Sequence, residues 1–197
     1  MRRRKPALWG SLIVLVLGGL LLWPLSASGE AKAEAEVLSG GGGLALGWLF
    51  LDLTSLNEQL AAAELPQLQP EVPLLVLGGG GLGAHQRGWS LGGLLLYGER
   101  GSDQLERAVS FSLGLAGLLL EYGEPVSKEL GLFLGGLFGL GRKTLEVLLY
   151  PVESFKRALR EPHGISLSRS FTAVGLYTGG EVALPGLRLH LMVGYLW

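Results

Sequence analysis

The chain has no cysteine. That single absence excludes a disulfide framework, thiolate metal sites and a cysteine nucleophile. Charge is sparse as well, at 17% of residues. Arg2, Arg3, Arg4 and Lys5 crowd the N-terminus, whereas all 17 acidic residues lie from Glu30 onward. The overall charge of −1 therefore hides a body with 12 basic and 17 acidic residues, a net of −5. No basic run survives in that body, which argues against a nucleic-acid partner. The three histidines, His85, His163 and His190, have no carboxylate or second histidine at ligand spacing, so no metal is expected. H-E-x-x-H does not occur. The carboxylates Asp52, Glu121, Glu146 and Glu181 cannot be paired from sequence. No cofactor is expected, and the chain reads as a non-enzyme.

What is abundant is glycine, at 33 residues. That is more than twice the usual share of about 7%. There is no Gly-X-Y period, which excludes collagen. The glycines sit within and between apolar runs, and hydrophobic residues make up 48% of the chain, which excludes disorder. Gly78-Gly79-Gly80-Gly81-Leu82-Gly83 satisfies G-x-G-x-x-G, but a dinucleotide site needs a helix to open there. Ala84-His85-Gln86-Arg87-Gly88-Trp89 does not open one. Gly136 to Thr144 approaches a phosphate loop, yet Arg142 stands between Gly141 and Lys143.

The N-terminus has the layout of a secretory signal. Met1–Lys5 is basic, Ala7–Leu25 is apolar, and Ala27 and Gly29 stand at the spacing a signal peptidase reads. The expected signal peptide is 1–29, with 35 as the later end. A short polar and Gly-rich lead-in follows over 30–40, and one domain over 41–197. The competing reading is an uncleaved anchor, since the apolar run is long enough to span a bilayer.

The body divides into eight apolar segments of roughly strand length. They are Gly41–Leu53, Pro73–Leu82, Trp89–Glu99, Arg107–Tyr122, Glu129–Gly141, Thr144–Tyr150, Ser166–Glu181 and Gly186–Trp197. Turn chemistry separates them, notably Gly98–Asp103, Gly123-Glu124-Pro125 and Gly141-Arg142-Lys143. Several segments alternate with period two, the mark of a strand. Leu187, Leu189, Leu191, Val193, Tyr195 and Trp197 share one face, with Arg188, His190, Met192, Gly194 and Leu196 on the other. Leu130, Leu132, Leu134, Phe138 and Leu140 oppose Gly131, Gly135, Gly139 and Gly141. Val109, Phe111, Leu113 and Leu115 oppose Ser110, Ser112, Gly114 and Ala116. Two short helices are expected in loops. One opens at the capping box Ser55-Leu56-Asn57-Glu58 and runs to about Glu64; the other spans Val152–Arg160.

The fold class expected is all-β: an antiparallel up-and-down β-barrel of about eight strands. An even meander closes without leaving edges. Bulky apolar faces outward and small residues inward are the pattern of a barrel in lipid. The aromatics Trp48, Phe50, Trp89, Tyr97, Tyr122, Tyr150, Tyr177, Tyr195 and Trp197 recur near segment ends, as interfacial girdles do. Ser168, Ser170, Thr172, Arg188 and His190 are expected to meet as a polar cluster in one region of the lumen. Runs such as Leu74-Leu75-Val76-Leu77 are apolar on both faces and keep a barrel with a greasy interior open.

The last strand, Val193-Gly194-Tyr195-Leu196-Trp197, resembles the terminal strand of small bacterial outer-membrane β-barrel proteins. These typically finish on an aromatic, with an apolar or aromatic residue two positions earlier. Tyr195 and Trp197 match those positions. The resemblance implies an outer-membrane or envelope location, with membrane lipid, the export machinery and the barrel-assembly machinery as partners. The role expected is structural, adhesive or small-solute. A secreted soluble barrel binding an apolar ligand, and a self-assembling surface protein, are the alternatives.

Overall fold

A computed structural model describes residues 11–19, 40–84, 88–104, 107–149, 164–184 and 187–197. In chain order its elements are β1 (Ser11–Gly19), β2 (Gly40–Leu49), α1 (Thr54–Ala62), β3 (Leu74–Ala84), β4 (Trp89–Gln104), β5 (Arg107–Pro125), β6 (Leu130–Leu149), β7 (Gly164–Leu184) and β8 (Leu187–Leu196). Strands β2 to β8 form one curled antiparallel sheet in which each strand pairs with the next. The class is all-β with one short helix among the described residues.

Among the described residues from 40 to 197 there are seven strands, where eight segments were expected. The expected segments Glu129–Gly141 and Thr144–Tyr150 are one strand, β6. Gly141-Arg142-Lys143 is not a turn: Gly141 pairs with Leu115 and Phe171, and Arg142 with Gly114 and Ser170. Ladders on both sides hold the backbone extended where the local chemistry favours a bend. For the same reason Gly98–Asp103 continues β4 rather than ending it. β1 stands between the two edges of the sheet. It pairs with β8 over nine residues, from Ser11↔Leu196 to Gly19↔Arg188. With β2 it pairs only at Ile13↔Leu49 and Val14↔Trp48. The remainder of the expected signal peptide, Tyr150 and the expected helix Val152–Arg160 lie outside the described residues.

β4 to β7 are 16, 19, 20 and 21 residues long, about twice β2 and β8 at 10 each. Their excess projects at the end that carries α1, here called the helix end. There the inner face is bulky and apolar, and the α1 loop packs on it. Leu53, Leu60 and Leu68 share a buried cluster with Val109, Phe111, Leu113 and Val147. Arg107 Nη1 donates to Glu64 O at 2.6 Å, and Arg100 bonds the carbonyls of Gln69 and Pro73. These contacts tie the loop to the tips of the strands.

The helix starts at Thr54, one residue before the expected capping box. The box does not form; instead Asp52 Oδ1 accepts the Thr54 N–H at 3.0 Å. That bond holds the Asp52 carboxyl below its ordinary range. Asn57, read from sequence as part of the box, is buried. Its side chain accepts from Leu68 N at 2.9 Å and donates to Leu68 O at 2.7 Å, closing the loop on itself.

Alternation sorts the rest of the sheet. Leu46, Leu77, Leu95, Leu118, Leu134, Phe138, Leu176 and Val193 face outward and are exposed. The outer face of β5 is uncharged from Gly114 to Tyr122 and that of β4 from Trp89 to Tyr97. Each stretch ends on a tyrosine that donates to a glutamate two residues on: Tyr97 to Glu99 Oε2 at 2.9 Å and Tyr122 to Glu124 Oε1 at 2.7 Å. These two pairs lie at opposite ends of the sheet. Beyond Tyr97 the outer face turns polar, and one rung reads Glu99, Ser112, Thr144, Ser168 across four strands.

Two sequence readings of facing need correction. Val109, Phe111, Leu113 and Leu115 point inward, with Ser110 and Ser112 outside. This half of β5 belongs to the projection, where the α1 loop supplies an apolar partner inside. Tyr177 is buried inside and so belongs to no outer girdle. The interior is also bulkier than expected, holding Val76, Leu94, Leu96, Leu119 and Leu137 beside the glycines.

Candidate functional site

Glu121 is the single charge in β5 between Arg107 and Glu124. Alternation turns it inward, where it is 4% exposed. A buried carboxylate is costly unless it is hydrogen-bonded, and the neighbouring strands supply partners. In the ladder Glu121 stands opposite Gly135, and Gly135 opposite Tyr177. With no side chain at Gly135, the Tyr177 ring lies across β6. A Cβ built there would meet Tyr177 Cζ at 2.5 Å and its hydroxyl oxygen at 2.7 Å. The hydroxyl crosses to Glu121 and donates to Oε1 at 2.9 Å.

Phe133 uses a second glycine in the same way. It stands opposite Gly179, where a Cβ would meet its Cζ at 2.5 Å. Its ring stacks on the His190 imidazole, centroids 4.0 Å apart and planes 16° from parallel. So held, His190 Nε2 lies 3.2 Å from Glu121 Oε1. Its Nδ1 is 3.9 Å from Glu181 Oε2 on the paired strand. Glu181 Oε1 in turn accepts from Arg188 Nη1 at 3.0 Å. An imidazole thus sits between two carboxylates at the junction of four strands.

This cluster lines a cavity of about 530 Å³ at the end away from α1. Glycines of β2 and β3 form one wall, Leu94, Leu119 and Met192 lie in its lining, and Lys128 and Glu129 come from the β5–β6 turn. Among the described residues, the β2 backbone over Gly40–Gly47 pairs with β3 alone. Chemically the arrangement can hold charge and accept hydrogen bonds in an otherwise apolar lumen. Among the described residues no three His, Cys, Asp or Glu side chains gather to hold a metal ion.

The five residues expected as one lumen cluster divide into two groups. Arg188 and His190 face inward and share the Glu181 contacts. Ser168, Ser170 and Thr172 face outward near the helix end, with Ser168 Oγ 3.3 Å from Thr144 Oγ1. Strand parity explains the split: β7 turns its odd-numbered residues, Ala173, Gly175 and Tyr177, to the interior. Tyr195 and Trp197 lie on the outward parity of β8, ring centroids 4.8 Å apart, edge to face. His85 and His163 lie outside the described residues. Sequence reasoning missed Tyr177 and Phe133 as members of the site and left Glu121 and Glu181 unpaired. A signal for Glu121 was present, as a lone carboxylate in a long uncharged strand.

Gly135→Ala is expected to push the Tyr177 ring off Glu121 and destabilise the fold by about 1–3 kcal/mol, the usual cost of a buried polar group losing its partner. Tyr177→Ala already lacks the ring, so adding Gly135→Ala to it should cost little more. Urea midpoints of the two single variants and the double variant measure this. Simple additivity would mean that the ring does not depend on Gly135.

Compared with known protein families and with curated proteins, the chain matches no family model and no curated protein.

Proposed function

We propose that this chain is an exported, non-enzymatic β-barrel of the cell envelope, set in an outer membrane with a small-solute role. One observation carries the reading: the outward apolar band bounded by Tyr97–Glu99 and Tyr122–Glu124 at opposite ends. On β4 and β5 the band has the length that a tilted strand needs to cross hydrocarbon, about 9–11 residues. Tyrosines with a polar tip at both margins suit the two membrane–water interfaces. In water the same surface would be a large exposed apolar patch. Trp48, Trp89, Tyr195 and Trp197 add to the margins.

Lipid cannot satisfy an open sheet edge, so a membrane barrel has to close. The pairings of Ser11–Gly19 with β8 and β2 support closure as an eight-stranded ring. Those residues lie inside the expected signal at 1–29, so one segment would serve both as the address read by the export machinery and as a strand. Tyr195 and Trp197 are the residues proposed to engage the barrel-assembly machinery. The α1 loop packed at the helix end, with the bulky interior, favours a blind pocket over a channel.

Native cells separated into envelope and soluble fractions provide the test. The protein should stay with the outer envelope and run differently on a detergent gel before and after boiling. Recovery as a detergent-free soluble protein would overturn the membrane reading. It would favour a secreted barrel for an apolar ligand, to which the Leu-rich interior also lends support.

A further inference from the structure

We propose that the cavity away from α1 binds a small amphiphile with a cationic amine head and an apolar tail, the head bonded to Glu121 Oε2. This deepens the small-solute role above and rests on it. Both hydrogen bonds to Glu121 arrive on Oε1, from Tyr177 and His190. Among the described residues none reaches Oε2, although the side chain is 5% exposed. A carboxylate has acceptor sites on both oxygens, so half of this buried group is unspent, and Glu121 belongs to the cavity lining.

Size and charge narrow the ligand. About 530 Å³ is in the range of small-molecule sites. Leu94, Leu119 and Met192 give the tail an apolar wall. The lining carries the carboxylates Glu121, Glu129 and Glu181, with the outward-parity Glu124 at its rim, against two permanent cations, Lys128 and Arg188, and the His190 imidazole between Glu121 and Glu181. Arg188 is already engaged by Glu181. An anionic head would meet the Glu121 charge, and an alcohol could donate only one neutral hydrogen bond. An ammonium brings three donors and a charge-assisted bond, the stronger kind.

The full-length protein, folded in detergent, is titrated calorimetrically with hexylamine, hexanol and hexanoate, each against protein-free micelles. Saturable hexylamine binding at least tenfold tighter than hexanol, with no hexanoate binding, is expected. Glu121→Gln keeps an acceptor for Tyr177 but loses the charge, and should drop hexylamine to the level of hexanol. Equal binding of the amine and the alcohol, tighter hexanoate, or an unaffected Glu121→Gln variant would overturn the site. If that variant does not fold, the ranking of the three probes on the unmodified protein decides alone. A boiled and unboiled gel of each sample reads the barrel separately: loss of the mobility shift with the amine preference intact strikes the membrane reading, not the site.

Discussion

Leu118→Arg is expected to destabilise the protein in lipid by about 2–4 kcal/mol, and Ser112→Arg, on the same face of the same strand, by about 0–1 kcal/mol. Leu118 lies midway along the uncharged outer stretch of β5 and is 62% exposed. Its ladder neighbours are Gly93 and Phe138, so no polar group beside it could receive a guanidinium. Ser112 lies beyond the band, paired with Glu99 and Thr144. If the outer face meets hydrocarbon, an arginine at its centre has to be desolvated or has to deform the bilayer, whereas one at Ser112 reaches water and an opposite charge. If the outer face meets water, both are ordinary surface substitutions, within about 0.5 kcal/mol of neutral. Urea midpoints of the boiling-sensitive band in lipid vesicles separate the cases. Two indistinguishable variants would remove the membrane reading.

A chain beginning at Glu30 is expected to lose the monomeric, boiling-sensitive form and to associate in detergent. Without β1, β8 gives up nine residue pairs and its backbone becomes an edge. β2 becomes the other edge. Because β1 is antiparallel to both, β2 and β8 run in the same direction. Direct closure would therefore need a parallel seam in an otherwise antiparallel sheet. Unpaired edges recruit strands from other chains, and in an apolar medium each unsatisfied backbone group costs several kcal/mol. Chemical crosslinking should show dimers and larger species, and a synthetic peptide covering Ser11–Gly19 should restore the monomer. A monomeric Glu30 chain with the full boiling shift would show instead that β2 and β8 close on each other, leaving the N-terminal segment free to act as a leader alone.

The sequence alone determined the parts of this protein that depend on neighbours one or two residues away. Period-two alternation made the chain all-β. On β8 it also assigned Leu191 and Val193 outward and Met192 inward, as the burial of that strand reports, and His190 inward, as its contacts with Glu121 and Phe133 report. The same holds for the Leu and Phe face of β6 against its glycines. Tertiary structure decided what depends on residues far apart in the chain. Gly141-Arg142-Lys143 has the composition of a turn, yet the ladders from β5 and β7 keep it a strand. Val109–Leu115 has the alternation of a membrane strand, yet the α1 loop draws its bulky side inward. Ser168, Ser170 and Thr172 are polar residues in a barrel strand, yet register places them outside. Glu121, Tyr177 and His190 lie up to 69 residues apart and meet because Gly135 leaves a gap for one ring and Gly179 for another. Which glycine stands opposite which aromatic is a matter of strand register. Register comes from the summed pairing of whole strands, and no local pattern carries it.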